Sequence, residues 1–219
     1  MTYTNMNELM QHYRSMAAQN NWAEAHEILL YGTECSYLPA KLELSRFYKN
    51  CLLPGTPYRE QYAKAESHYR EILNLLDLTD HNVATVALEL TELYFRMDRP
   101  VGVLAMLLRA KRYGIDVPEE KVERAKKLLM GLDVNDFGKS ALDAYDLATE
   151  LLLAGGSVRF IELLLREASE SSNKLIRAKA SLMLADFYND QRSDAVYAHE
   201  AARYYRLAAE AGYPEYLSR

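Results

Sequence analysis

Gly138-Lys139-Ser140 has the ending of a phosphate-binding loop, in which backbone amides cradle a phosphate and the lysine meets its charge. The full pattern needs a glycine at position 133, where the chain has Asp133, and no apolar strand precedes the run. A helix start is the better reading, with Ser140 and Asp143 near its first turn. His26-Glu27 begins like a zinc-protease helix, but the position for the second histidine is Leu30. His12, His68, His81 and His199 fall on other segments, so no metal set assembles. Cys35 and Cys51 lie sixteen positions apart. Two thiols without nearby histidines do not make a zinc site. A disulfide would need an oxidising compartment, and reduced, semi-buried thiols are the simpler reading. Neither a Gly-x-Ser-x-Gly elbow nor a Gly-x-Gly-x-x-Gly turn occurs. The residues therefore point to no catalysis, no metal and no cofactor.

The composition allows a packed core. Of 219 residues, 49% are hydrophobic and 26% charged, with a formal net charge of -5. A mildly acidic chain lacks the basic face that neutralises nucleic-acid phosphates. No stretch approaches the roughly 18 apolar residues of a membrane span. The first residues carry neither a basic nor an apolar leader segment, so the expected location is cytoplasmic, or periplasmic if a leader has been lost.

Apolar residues recur at three- and four-residue steps along most of the chain, which is the helical period. Prolines and glycines punctuate it: Pro57 after Thr56 reads as a first helical position after its cap, Pro100 and Pro118 mark further starts, and Gly114 and Gly212 mark ends. About eleven helices are expected, near 5–19, 22–32, 38–50, 58–76, 80–97, 100–113, 118–131, 139–154, 157–170, 174–190 and 195–211. Short loops fold such helices back on one another. The helix at 118–131 has a thin apolar stripe of Val122, Ala125, Leu128 and Leu129 beneath a charged face.

These helices repeat in pairs. Ala180, Leu184, Ala185 and Tyr188 share their spacing with Ala40, Leu44, Ser45 and Tyr48. Each set is followed by a second helix, Glu200-Ala201-Ala202-Arg203-Tyr204-Tyr205 in one case and Lys64-Ala65-Glu66-Ser67-His68-Tyr69 in the other. Leu90, Thr91 and Tyr94 form a third copy, Leu147, Ala148 and Leu151 a looser fourth, and Leu9 with Tyr13 a fifth. The small residue lets two helices approach, the tyrosine fills the groove, and stacked pairs share a core that one pair cannot bury alone. The pattern places Tyr48, Tyr69, Tyr94, Tyr188 and Tyr205 inside, and leaves Tyr3, Tyr145 and Tyr213 outside the core slots.

The segment from Ala180 through Gly212 resembles the signature of Sel1-like repeats, a branch of the tetratricopeptide superfamily, and the units at 38–76 and 174–212 are the clearest copies. The first-helix glycine of that signature is replaced by Ser45, Thr91, Ala148 and Ala185, the loop glycines are absent, and the 118–131 helix has no partner in the repeat phase. The resemblance implies an all-α, right-handed superhelical solenoid of antiparallel helix pairs, one domain over 1–219. It also implies a concave face lined by first helices, here presenting Leu42, Arg46, Lys49, Leu88, Glu92, Arg96, Tyr145, Thr149, Leu182, Asp186 and Asn189. The first half of that set is basic and the second acidic. A segment of another protein suits such a groove. The expected function is a protein-binding scaffold or adaptor. The alternatives are an immunity-type inhibitor of a toxin, as some resembling bacterial proteins are, and an all-α enzyme with its site in the groove.

Overall fold

The computed structural model describes residues 5–76, 82–130, 140–190 and 195–212. Every regular element among them is a helix: α1 (Met6–Ala18), α2 (Trp22–Glu34), α3 (Leu38–Lys49), α4 (Tyr58–Leu75), α5 (Asn82–Arg96), α6 (Pro100–Arg112), α7 (Glu119–Met130), α8 (Ala141–Leu153), α9 (Val158–Ser169), α10 (Lys174–Asn189) and α11 (Ala195–Ala211). Gly138 and Lys139 lie outside the described residues, as do Tyr3, His81 and Tyr213. Two compact units are resolved, Met1–Asp98 with Arg112–Ile115, and Arg99–Lys111 with Asp116–Arg219.

In the N-terminal unit each helix packs on the next, from α1 to α5. In the C-terminal unit α8, α9, α10 and α11 do the same, and α8 also touches α10, the first helix of the following pair. All five tyrosines expected in the core are buried. The small residues at the first-helix contact are buried too, and the hydroxyls among them are satisfied locally: Ser45 Oγ donates to the Lys41 carbonyl at 2.8 Å and Thr91 Oγ1 to the Ala87 carbonyl at 2.9 Å. A hydroxyl bonded one turn back fits a close helix contact without an orphaned polar atom.

The missing loop glycines have a specific replacement. Asn20, Ser36, Cys51 and Asp98, each two residues beyond a helix, take φ of 55°, 58°, 55° and 53°. Such left-handed residues end a helix by returning amides to its last carbonyls, a job glycine does without steric cost. The chain thus keeps the turn geometry and accepts the strain. Before α4, Pro57 is the capping residue rather than the first helical position, and the helix starts at Tyr58, where the expected segment begins. That loop is held by a residue the periodicity did not mark. Gln61, 1% exposed, donates to the Leu53 and Thr56 carbonyls at 3.0 and 2.9 Å and accepts from the Leu53 amide at 3.0 Å.

Helix α7 buries Val122, Ala125 and Leu129, whereas Leu128, expected in the same stripe, is 46% exposed. The repeat phase passes over α7. Arg109 of α6 donates to Glu150 of α8 at 2.7 Å and lies 3.5 Å from Asp146. Arg99, just before α6, forms a two-pronged pair with Asp143 at 2.6 and 2.8 Å and donates to Ser140 Oγ at 3.0 Å. The three carboxylates are buried, so their charge is met by these two guanidiniums. Helix α8 is tied to α6 as a following first helix, with α7 as an insert. Ser140 also caps α8, accepting from the Asp143 amide at 3.3 Å, as the helix-start reading expects.

Candidate functional site

The first helices of successive pairs carry the expected binding residues, and in the N-terminal unit they form one polar face. Between α1 and α3 lies a cleft of about 340 Å³, lined by Asn7, Met10, Gln11 and Arg14 of α1, with Tyr37 at the turn and Pro39, Leu42 and Glu43 of α3. Asn7, Gln11 and Arg14 stand four and three residues apart, so they form one stripe of α1. All three are exposed, while Met10 is buried at the cleft floor.

Beyond the cleft, α3 meets α5 through charges. Arg46 donates to Glu43 at 2.7 Å and to Glu89 at 3.0 Å; Lys49 binds Glu89 and, at 2.7 Å, Glu92. Tyr69 of α4 donates its hydroxyl to Glu89 at 3.2 Å. Burial alone would raise the Glu89 carboxyl; its bond to Lys49, with Arg46 beside it, outweighs that and holds it below the usual range. Burial, then the neighbouring Glu89 carboxylate, raises the Tyr69 phenol strongly, so it remains a donor. Arg96 donates to the Lys49 carbonyl at 2.7 Å and so caps the end of α3.

The expected basic half of the face is therefore compensated within the unit. Arg46, Lys49, Glu92 and Arg96 come together, but Lys49, expected at the surface, is only 5% exposed. Leu42 sits in the cleft, and Leu88 is half-buried on α5. In the C-terminal unit Thr149 of α8 donates to the Tyr145 carbonyl at 2.9 Å and reaches Met183 Sδ of α10 at 3.9 Å. Beside Met183, Leu182 is half-buried; Asp186 accepts from the Tyr205 hydroxyl at 2.7 Å, and Asn189 is half-buried at the end of α10.

Glu43, Glu89 and the α1 stripe were missed by reasoning from single helices. A signal for the acids was present: an acid directly precedes the repeat leucine in three first helices, as Glu43, Glu89 and Asp146 before Leu44, Leu90 and Leu147. Each of the three is ion-paired.

Within each unit the pairs are joined by their tyrosines. Tyr48 of α3 lies 2.7 Å from His26 Nε2 of α2 while its ring stacks on His68 of α4. Tyr94 of α5 donates to Glu66 of α4 at 2.9 Å and accepts from Arg70 at 2.6 Å. Tyr188 of α10 donates to Glu162 of α9 at 2.6 Å, accepts from Arg166 at 2.8 Å, and stacks on Tyr197 and Tyr204 of α11. Burial, reinforced by Glu162, pushes the Tyr188 phenol up to about 12. The hydroxyl therefore reaches back to the preceding pair, a contact beyond the groove-filling role expected of it.

Among the described residues no cluster of three or more histidine, cysteine, aspartate or glutamate side chains could hold a metal ion, and no helix is long and apolar enough to cross a membrane. Both cysteines are free, with Cys35 exposed and Cys51 half-buried. No protein-family model, curated protein or solved structure matches this chain.

Proposed function

We propose that this chain is a helical-repeat scaffold that binds a segment of another protein along the first-helix face of its N-terminal unit. The cleft between α1 and α3 carries the reading. It lies between two first helices, it is lined by Leu42, and it sets apolar Met10 and Pro39 beside the polar side chains of Asn7, Gln11 and Arg14. The resemblance to Sel1-like repeats supports the same reading as an analogy of architecture. The ion network on α3 and α5 gives the face rigidity, since its cations are held by Glu43, Glu89 and Glu92. A rigid face spends less entropy on ordering when a partner docks.

Affinity capture from native lysate tests this with three forms of the chain: unmodified, Leu42→Arg in the cleft, and Ala63→Arg on the exposed side of α4. The expected result is a stoichiometric protein that is lost with Leu42→Arg and kept with Ala63→Arg, all three forms melting alike. Capture of no stoichiometric partner, or of one indifferent to Leu42→Arg, removes the proposal.

A further inference from the structure

The cleft's polar groups say what chemistry its occupant carries, an inference that rests on the proposed function. Arg14 has no ion-pair or hydrogen-bond partner among the described residues, whereas the cleft's carboxylate, Glu43, is held by Arg46 at 2.7 Å. The side-chain amides of Asn7 and Gln11, on the same stripe of α1, have no partners either. The cleft thus offers one uncompensated guanidinium, two carboxamides able to give and take hydrogen bonds, and an apolar wall of Met10, Pro39 and Leu42. We propose that this cleft takes an acidic peptide segment, in which an apolar side chain enters against Met10 and Leu42 and an adjacent carboxylate meets Arg14.

Each part follows from what the cleft lacks. A planar guanidinium with its donors unused matches a carboxylate in geometry and charge. Two carboxamides one turn apart can bond the carbonyl and amide of an extended backbone, which supplies affinity without sequence preference. Arg46 neutralises Glu43, so the one negative group in the cleft does not repel an incoming acid. A basic segment would leave Arg14 facing a like charge.

Methionine-methyl NMR on the full chain reads the site directly, because Met10 lines the cleft while Met106 is fully buried in α6. The probes are two capped octapeptides, Gly-Ser-Ala-Leu-Asp-Ala-Ser-Gly and the same sequence with Asn for Asp, together with a uridine octanucleotide. The aspartate peptide is expected to move Met10 saturably and to bind about tenfold more tightly than the asparagine one, with Met106 unmoved. In Arg14→Gln, a surface change, the tenfold preference is expected to vanish while Met10 still moves. Equal binding of the two peptides, a preference that survives Arg14→Gln, or tighter binding of the oligonucleotide overturns the acidic-segment inference. The scaffold reading survives those outcomes if the captured partner still depends on Leu42. Failure of both peptides to move Met10 overturns the inference, and the capture experiment then judges the scaffold reading by itself.

Discussion

Lys49→Met breaks the most buried charge contact of the N-terminal unit, and the structure sets its cost. The Lys49 side chain is 7% exposed and that of Glu89 18% exposed. Removing one member of a buried pair costs about 3–5 kcal/mol, mostly as the penalty of the stranded charge. Glu89 is only partly stranded, because Arg46 at 3.0 Å and the Tyr69 hydroxyl at 3.2 Å remain. About 2 kcal/mol is therefore expected, a fall of about 4–8 °C in melting temperature for a chain of this size. The single tryptophan, Trp22, packs edge-on against Phe47 and reports this unit, so urea unfolding followed by its fluorescence measures the change. Glu89→Gln and the double variant complete a cycle, for which a coupling of about 1.5 kcal/mol is expected. Glu92→Gln serves as the control: its side chain is 65% exposed, and it should cost less than about 0.5 kcal/mol. Because the folded-state value of Glu89 is depressed, its contribution is present above the unfolded carboxylate value and is lost as pH falls through the folded one. The gap between the unmodified chain and Lys49→Met should narrow in acid. A coupling below about 0.3 kcal/mol, within ordinary additivity error, refutes the reasoning.

Two backbone changes of opposite sense follow from the turns and contacts. Ser36→Gly relieves a left-handed φ of 58° and should stabilise by about 1 kcal/mol in the same urea assay. Gly32→Ala should destabilise by about 1–2 kcal/mol despite its better helix propensity, since the added Cβ would sit 2.5 Å from Ala40 Cβ across the α2–α3 contact. For acid response, burial lowers the values of both His26 and His68, and His68 Nδ1 is buried without a hydrogen-bond partner among the described residues. The unfolded chain then binds the extra protons, so stability is full above the unfolded histidine value and declines as pH falls through the interval below it. His68→Phe keeps the stack on Tyr48 and should flatten the dependence of melting temperature on pH between about 7 and 5, a range set by the histidine reference value.

Periodicity located the helices closely. The eighth, expected near 139–154, runs Ala141–Leu153, and the repeat spacing alone puts in the core five tyrosines that are buried there. What it located poorly depends on contacts between helices. Lys49 reads as a surface cation on α3 alone; only the arrival of Glu89 from α5 makes its burial affordable. Gln61 looks like an ordinary polar helix position, yet it satisfies a loop lying eight residues upstream. Leu128 fits the α7 stripe by spacing, yet it is exposed while Leu129 beside it is buried. The acidic position before the repeat leucine was visible by aligning the pairs, whereas the free state of Arg14 was not, because it depends on Glu43 having chosen Arg46.

The tyrosine that reaches backward while stacking forward has a consequence for how each unit comes apart. Tyr48 belongs to the junction of α2 with α3 and to that of α3 with α4; Tyr188 bridges α9, α10 and α11 in the same way. In a linear array, stability is a sum of the repeats and the couplings between nearest neighbours. A side chain shared by two couplings makes them fail together, so fraying cannot stop cheaply between one pair and the next. Each unit is thereby built to melt as a block, with the tyrosine hydroxyls as the stitches that turn separate hairpins of helix into one cooperative body.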